Sequence, residues 1–282
     1  MPVAWGAFVA TRSVAFRVVG GLFVAAALLS TASASPAGAA RPKPATGCDR
    51  AQFRVVLDVG HSAEVPGALS ARGTPEYDFN LRLANRIGKS LTDAGFAKAV
   101  VLVTPGPARA GLATRVARAN GWPADLCISI HHDSVPERFL ENWEYDGKPN
   151  RFSDRFRGHS IFVSNDNAHR DASLTFARLL GREMKARGLK YAPHYAEAYM
   201  QERRRELLDP EAGVYRYDQL IVLKDTAMPA VLLEAGSIVN RNEELLLQTP
   251  QHQSRIAAAL TEAVRTFCSA RPATLAKQQA GR

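Results

Sequence analysis

Cysteine is scarce in this chain of 282 residues: there are three, at 48, 127 and 268, and none has the spacing of a zinc finger. Acids are outnumbered by bases, 27 to 36, for a formal net charge of +9. Yet no basic helix or aromatic ribonucleoprotein motif accompanies that charge, so a nucleic-acid partner is not expected. Long apolar runs are missing too. The run Val18 to Leu29 is about 12 residues, short of the roughly 20 that cross a bilayer as a helix. There is no internal repeat, no separate wall-binding or SH3-like module, and no local H-E-x-x-H metal signature.

The short apolar run has its own meaning. Arg12 and Arg17 precede or open it and "ASAS" and "AGAA" follow it, which is the order of a secretory signal peptide over residues 1–40. No Arg-Arg pair occurs there, so general secretion is expected, with a periplasmic or secreted product and no stable membrane span after cleavage. Losing the two arginines leaves +7, a charge suited to a polyanionic surface such as a cell wall. Three cysteines in an exported chain leave one over. Cys127, inside an apolar strand, reads as an inert core thiol. Cys48 and Cys268 flank the folded region, and a disulfide between them would tie down both of its ends.

With 46% hydrophobic residues the chain can bury one substantial core. Residues 41–52 read as a Pro-rich lead-in, 53–268 as a single folded domain and 269–282 as a disordered tail. Within the domain, "FRVVLDVG", "AVVLVT", "DLCISIH", "GHSIFVS", "LIVL" and "AVLLEAG" read as strands. Helices are expected after Thr74 (cap) and Pro75 (first position), over 112–120, over 169–187, and after Thr249 and Pro250. Phe79, Leu83, Ile87 and Leu91 share one helical face, as do Ile256, Leu260, Val264 and Phe267. Near-continuous Val/Ile/Leu strands alternating with helices imply an α/β fold, a mostly parallel twisted sheet with helices on both faces. Two inserts fit less well: 136–158, long, aromatic and charged, reads as a loop, and 195–215 as an extra charged helix and turn.

Four polar residues stand where strands end or a helix begins: His61, Glu76, His131 and Glu234. In open α/β sheets the ligand crevice lies at the carboxyl ends of the strands. Two imidazoles and one carboxylate with an open fourth position make a catalytic zinc arrangement. A further carboxylate is what a hydrolase needs as general base. Each residue also has an ordinary reading, as a loop histidine or as a helix N-terminal charge. Only Glu234, closing an apolar strand, is costly unless bonded or used. Alternation along "CISIHHDS" puts His131 and His132 on opposite faces, and parity does not choose between them in a sheet covered on both sides.

The wording of three segments is more specific. "VVLDVGHSAEVPGALSARGTPEYDFNLRLA", "RVARANGWPADLCISIHHDS" and "MPAVLLEAGSIVNRNEE" resemble the ordered motifs of the amidase_3 (AmiC-like) family of zinc-dependent N-acetylmuramoyl-L-alanine amidases, from about Arg54 to Phe267. The resemblance implies a phosphorylase/hydrolase-like zinc amidase fold that binds Zn2+ through His61, Glu76 and His131, with Glu234 as catalytic base. It implies hydrolysis of the amide between N-acetylmuramic acid and L-alanine in peptidoglycan; a monomer is expected. The family's S-I-H wording selects His131 as ligand. His132 is then a cleft-wall or supporting group in reach of substrate, and Asp133 a carboxylate that orients a ligand imidazole.

Departures from the family pattern, at Val59, Ser62 and Ala235-Gly236-Ser237, remove no ligand. Some relatives carry a helix that plugs the metal until a protein activator displaces it. Here 195–215 occupies that interval and offers Glu197, Glu202, Glu206 and Glu211 as candidate plugging carboxylates. The competing readings are a zinc carboxypeptidase or endopeptidase acting on the stem peptide, and a catalytically decayed wall-binding regulator.

Overall fold

A computed structural model of the chain describes residues 47–106 and 108–270. The signal peptide expected over 1–40 lies outside the described residues. So does the tail expected over 269–282, apart from Ser269 and Ala270, which still belong to the last helix rather than to a disordered segment.

The chain runs β1 (Arg54–Val59), α1 (Glu76–Asp93), β2 (Lys98–Leu102), α2 (Ala108–Gly121) and β3 (Leu126–Asp133). An antiparallel hairpin of β4 (Glu141–Tyr145) and β5 (Lys148–Phe152) follows, then β6 (Ser160–Val163) and α3 (Arg170–Ala186). Two 3₁₀ turns over Pro193–Ala196 and Ala198–Arg203 lead to β7 (Leu207–Asp209) and β8 (Val214–Arg216). Then come α4 (Ile221–Lys224), β9 (Ala230–Ser237), α5 (Arg241–Gln248) and α6 (Pro250–Ala270).

Seven strands form one sheet in the order β2-β1-β3-β9-β6-β8-β7. The pairs β2/β1, β1/β3 and β3/β9 are parallel, whereas β6 runs antiparallel to β9. This is the mostly parallel, two-faced sheet that the continuous apolar strands demand. Alternate strand residues feed two cores. Val55, Leu57, Ile128, Ile130 and Leu233 pack under α1, α3 and α6. Val56, Cys127 and Leu232 pack with Tyr195 and Met200 of the 3₁₀ turns and Leu223 of α4. Burial pushes the Cys127 thiol up, which keeps it inert. Among the described residues no helix is long and apolar enough to cross a membrane.

Local chemistry explains most boundaries. The inward stripe of α1, Phe79, Leu83, Ile87 and Leu91, is fully buried. Gly95 ends it at φ 92°, a left-handed turn that lets the Phe96 N–H reach the Leu91 carbonyl at 3.0 Å. Thr249 caps α6 through its hydroxyl to the His252 N–H at 3.2 Å. A disulfide joins Cys48 to Cys268, Cα atoms 5.1 Å apart, and so fastens the segment before β1 to α6.

Several expectations fail for identifiable reasons. Thr74 does not cap α1, and Pro75 is the residue before the helix rather than its first position, because Thr74 is committed to a tight turn with Ser70. "LIVL" is no strand: Leu223 and Lys224 donate back to the Leu220 carbonyl, making one helical turn that buries Val222 and Leu223 while Ile221 stays exposed. The 136–158 insert is a 3₁₀ turn and a hairpin rather than a loop. The 195–215 insert is no helix, since its second half pairs as β7 and β8 at the sheet edge. Helix α5 was not anticipated. Asn240 caps it by accepting from Asn242 and Glu243 N–H groups, and Glu243 ties the end of β9 to Gly158.

Candidate metal centre

The carboxyl ends of β1, β3 and β9 lie side by side, and each delivers one of the expected residues. His61 comes just after β1, with φ 64°. That turn is fixed from below by Arg115 of α2, which donates to Asp58 at 2.9 Å, to the Val59 carbonyl and to the His61 carbonyl at 2.7 Å. Ser129 occupies the other Asp58 oxygen at 2.7 Å. Asp58 and Arg115 are both buried, so breaking the pair strands a charge. Arg115→Met is expected to destabilise the fold by about 3–5 kcal/mol and to loosen His61, which urea unfolding and zinc titration would read separately.

Glu76, the first residue of α1, reaches between the two imidazoles. Its Oε2 lies 3.0 Å from His61 Nε2 and its Oε1 3.0 Å from His131 Nδ1. The rings of His61 and His131 stand 5.0 Å apart at 72°. Burial alone would push the Glu76 carboxyl up, but hydrogen bonds from His131 and His61 hold it well below the ordinary carboxylate range. One ligand-capable atom from each of the three residues falls within 4.8 Å of the others. Two glycines leave that space clear. A Cβ on Gly60 would lie 2.4 Å from the His131 ring, and one on Gly67 2.6 Å from Glu76 Oε2. A cavity of about 150 Å³ lined by His61, His131, Ser62, Thr104 and Arg115 opens beside the cluster.

The donor set fits zinc: two neutral-capable imidazoles and a carboxylate held as an anion, with room on one side.

His132 is resolved by its partners. It is buried, packs on Phe79 at 5.5 Å, and its Nδ1–H donates to Asn80 Oδ1 at 2.7 Å. Asn80 in turn donates to Glu76 Oε1 and to the Gly60 carbonyl, each at 3.2 Å. Burial, before any charge, lowers the His132 pKa to about 3, so it stays a neutral donor. His132 therefore does not reach substrate from the cleft wall; it supports Glu76 through Asn80. Asn80 was not singled out from the sequence, although a polar residue four positions after Glu76 on the buried face of α1 is a readable signal. Asn80→Ala is expected to weaken zinc binding roughly 10- to 100-fold, measurable by competition with a chelator.

Asp133 orients no ligand imidazole. A bulge in the β3–β9 pairing turns it away, and its Oδ1 accepts from Tyr195 at 2.7 Å, with His194 Nε2 3.5 Å from Oδ2. Glu234 lies directly across the ladder from His131. Its Oε2 is buried with no hydrogen-bond partner. Desolvation, reinforced by Asp133 and Glu76 and opposed by Arg203, raises its pKa well above the ordinary value.

The four glutamates of the second insert are not in this cluster. Glu197 is exposed, Glu202 sits 3.8 Å from Arg138, Glu206 3.2 Å from Arg216, and Glu211 pairs with Lys185. None of these carboxylates lies between the His61, Glu76 and His131 side chains in this structure.

Residues 55–266 match the Amidase_3 family, described as N-acetylmuramoyl-L-alanine amidase. A putative N-acetylmuramoyl-L-alanine amidase of Buchnera aphidicola subsp. Baizongia pistaciae is 25% identical over 217 residues, 76% of this chain and 95% of its own length. The N-acetylmuramoyl-L-alanine amidase AmiC of Escherichia coli O6:H1 is 26% identical over 268 residues, which are 86% of this chain and 59% of AmiC. The crystal structure of the amidase Ami1 from Mycobacterium smegmatis superposes with a TM-score of 0.59 at 20% identity, covering 78% of this chain and 98% of Ami1.

Proposed function

Since the chain belongs to the Amidase_3 family of N-acetylmuramoyl-L-alanine amidases, we propose that it is a zinc hydrolase that cleaves the amide between N-acetylmuramic acid and L-alanine in peptidoglycan. The observation that carries this reading is the convergence of His61, Glu76 and His131 within 4.8 Å, with Glu234 on the neighbouring strand opposite His131. Export through residues 1–40 belongs to the same reading, because peptidoglycan lies outside the cytoplasmic membrane.

His61, Glu76 and His131 would hold the zinc, and His132 and Asn80 keep the Glu76 carboxylate aimed between the two imidazoles. Zinc bound there supplies Lewis acidity towards water and the scissile carbonyl. Glu234 supplies the proton chemistry. Its unpartnered Oε2 accepts the proton of the attacking water and returns it to the departing amide nitrogen of alanine. The products are a free lactyl carboxylate on the sugar and an intact peptide with a new alanine amine.

Purified sacculi digested by the protein test this directly. Release of intact stem peptides, lost on chelation and restored by zinc, is the expected result. Release of free D-alanine or of shortened peptides would replace the amidase by a peptidase.

A further inference from the structure

Glu234 has two further acids in its surroundings, Asp133 and Glu76, and the charged groups of a peptidoglycan-type substrate are mainly the carboxylates of its peptide. Zinc would offset Glu76, but a substrate carboxylate lying beyond the metal needs a cation at the same end of the sheet. The second insert supplies one. Arg203 extends towards Asp133, its Nη2 3.9 Å from Oδ1 and 3.4 Å from the Tyr195 hydroxyl. It is the cation that opposes the raised pKa of Glu234. Nη2 donates to the Tyr195 hydroxyl, its approach to Asp133 exceeds hydrogen-bond distance, and with its side chain 38% exposed the guanidinium has donors in reach of a further acceptor.

The segment that presents Arg203 is built to hold a fixed pose. Met200 is fully buried, and Arg138 donates to the carbonyls of Tyr199 and Met200 at 3.2 and 3.3 Å. Between Met200 and Arg203, Gln201 adopts φ 53° and ψ −122°, inside the 3₁₀ run. A non-glycine residue at such angles is strained, and strain of this kind persists only where the surroundings over-determine it. Arg155, stacked 4.2 Å from the Tyr199 ring, adds a second exposed guanidinium to the same wall.

Resting on the amidase reading, we propose that Arg203 forms a carboxylate subsite that recognises a free carboxylate in the peptide part of the substrate. An arginine fork matches a carboxylate in geometry as well as charge, so the insert selects substrate rather than blocking the metal.

Soluble muramoyl peptides in which each peptide carboxylate is replaced in turn by a carboxamide test this. One replacement is expected to lower wild-type kcat/KM about tenfold or more, through KM. Arg203→Gln should bring that pair of substrates to the same kcat/KM by lowering only the carboxylate form, and Arg203→Lys should keep part of the difference. The inference is overturned if the wild type treats all the substrates alike, or if Arg203→Gln slows carboxylate and carboxamide forms by the same factor. If Arg203→Gln does not fold, the wild-type series and Arg203→Lys decide. A wild type that cleaves none of them while loaded with zinc refutes the amidase reading itself, and this subsite with it.

Discussion

Glu234→Gln is expected to retain zinc and lose amide hydrolysis, by about 10²–10⁴-fold in kcat. The substitution keeps size and shape and removes only the capacity to take a proton. The same residue makes an independent thermodynamic prediction for the zinc-free protein. Desolvation first, then Asp133 and Glu76, raise the folded pKa of Glu234 well above the ordinary carboxyl value. A raised folded pKa means the folded state binds the proton more tightly than the unfolded chain does. The stability it contributes is therefore fully present below the unfolded carboxyl value, about 4.3, and is lost as pH rises through the folded value. Glu234→Gln should flatten that part of the stability–pH curve. Chemical unfolding of zinc-free wild type and variant at several pH values measures it, and parallel curves would count against a buried, proton-holding Glu234.

The second large effect concerns the metal. His131→Ala removes a ligand and is expected to leave zinc content below a tenth of an equivalent per chain. Gly60→Ala should approach the same result while keeping every ligand. Its new Cβ would sit 2.4 Å from His131 Nε2, a distance no side chain tolerates, so the imidazole must leave Glu76. The backbone at 60 is otherwise committed, its N–H bonded to the Ile130 carbonyl at 3.0 Å. Metal analysis after gel filtration reads both variants, and circular dichroism separates local displacement from unfolding. Full zinc occupancy in His131→Ala would remove that residue from the ligand set.

Which parts of this were legible in the sequence follows from how local each signal is. The sheet and its helical cover are readable because Val55, Leu57, Ile128, Ile130 and Leu233 belong to unbroken apolar runs, and because Gly95, through its left-handed backbone, and Thr249, through its capping hydroxyl, mark helix ends. "LIVL" was misread because four apolar residues suit a strand or a buried helical turn equally well, and only burial against α2 and β9 decides. The 195–215 insert carries strong helix formers, but pairing at the sheet edge and the buried Met200 override propensity.

Within the site, the residue types were legible and the partnerships were not. His131 and His132 could not be separated by parity, because both faces of β3 are covered. The separation comes from Asn80 of α1, 52 positions from His132, which engages that ring alone. Asp133, a carboxylate close to His131 in the chain, suits the common role of orienting a ligand imidazole. The bulge after His131 sends it instead to Tyr195, 62 positions away. Arg115 opens the segment "RVARAN" of α2, but its bonds to Asp58 and to the His61 carbonyl lie 57 and 54 positions away; Arg203 comes from the second insert, where no local pattern announces it.

In the proposed reaction His61, Glu76, His131 and Glu234 together cleave the muramoyl–alanine amide. A zinc-loaded sample incubated with a defined muramoyl peptide, with both products identified by mass spectrometry, tests it most directly. The expected products are a free-amine alanyl peptide and a muramic acid carboxylate in equal amounts, with neither formed by Glu234→Gln at matched zinc content. Cleavage at any other bond, or undiminished cleavage by Glu234→Gln, would contradict it.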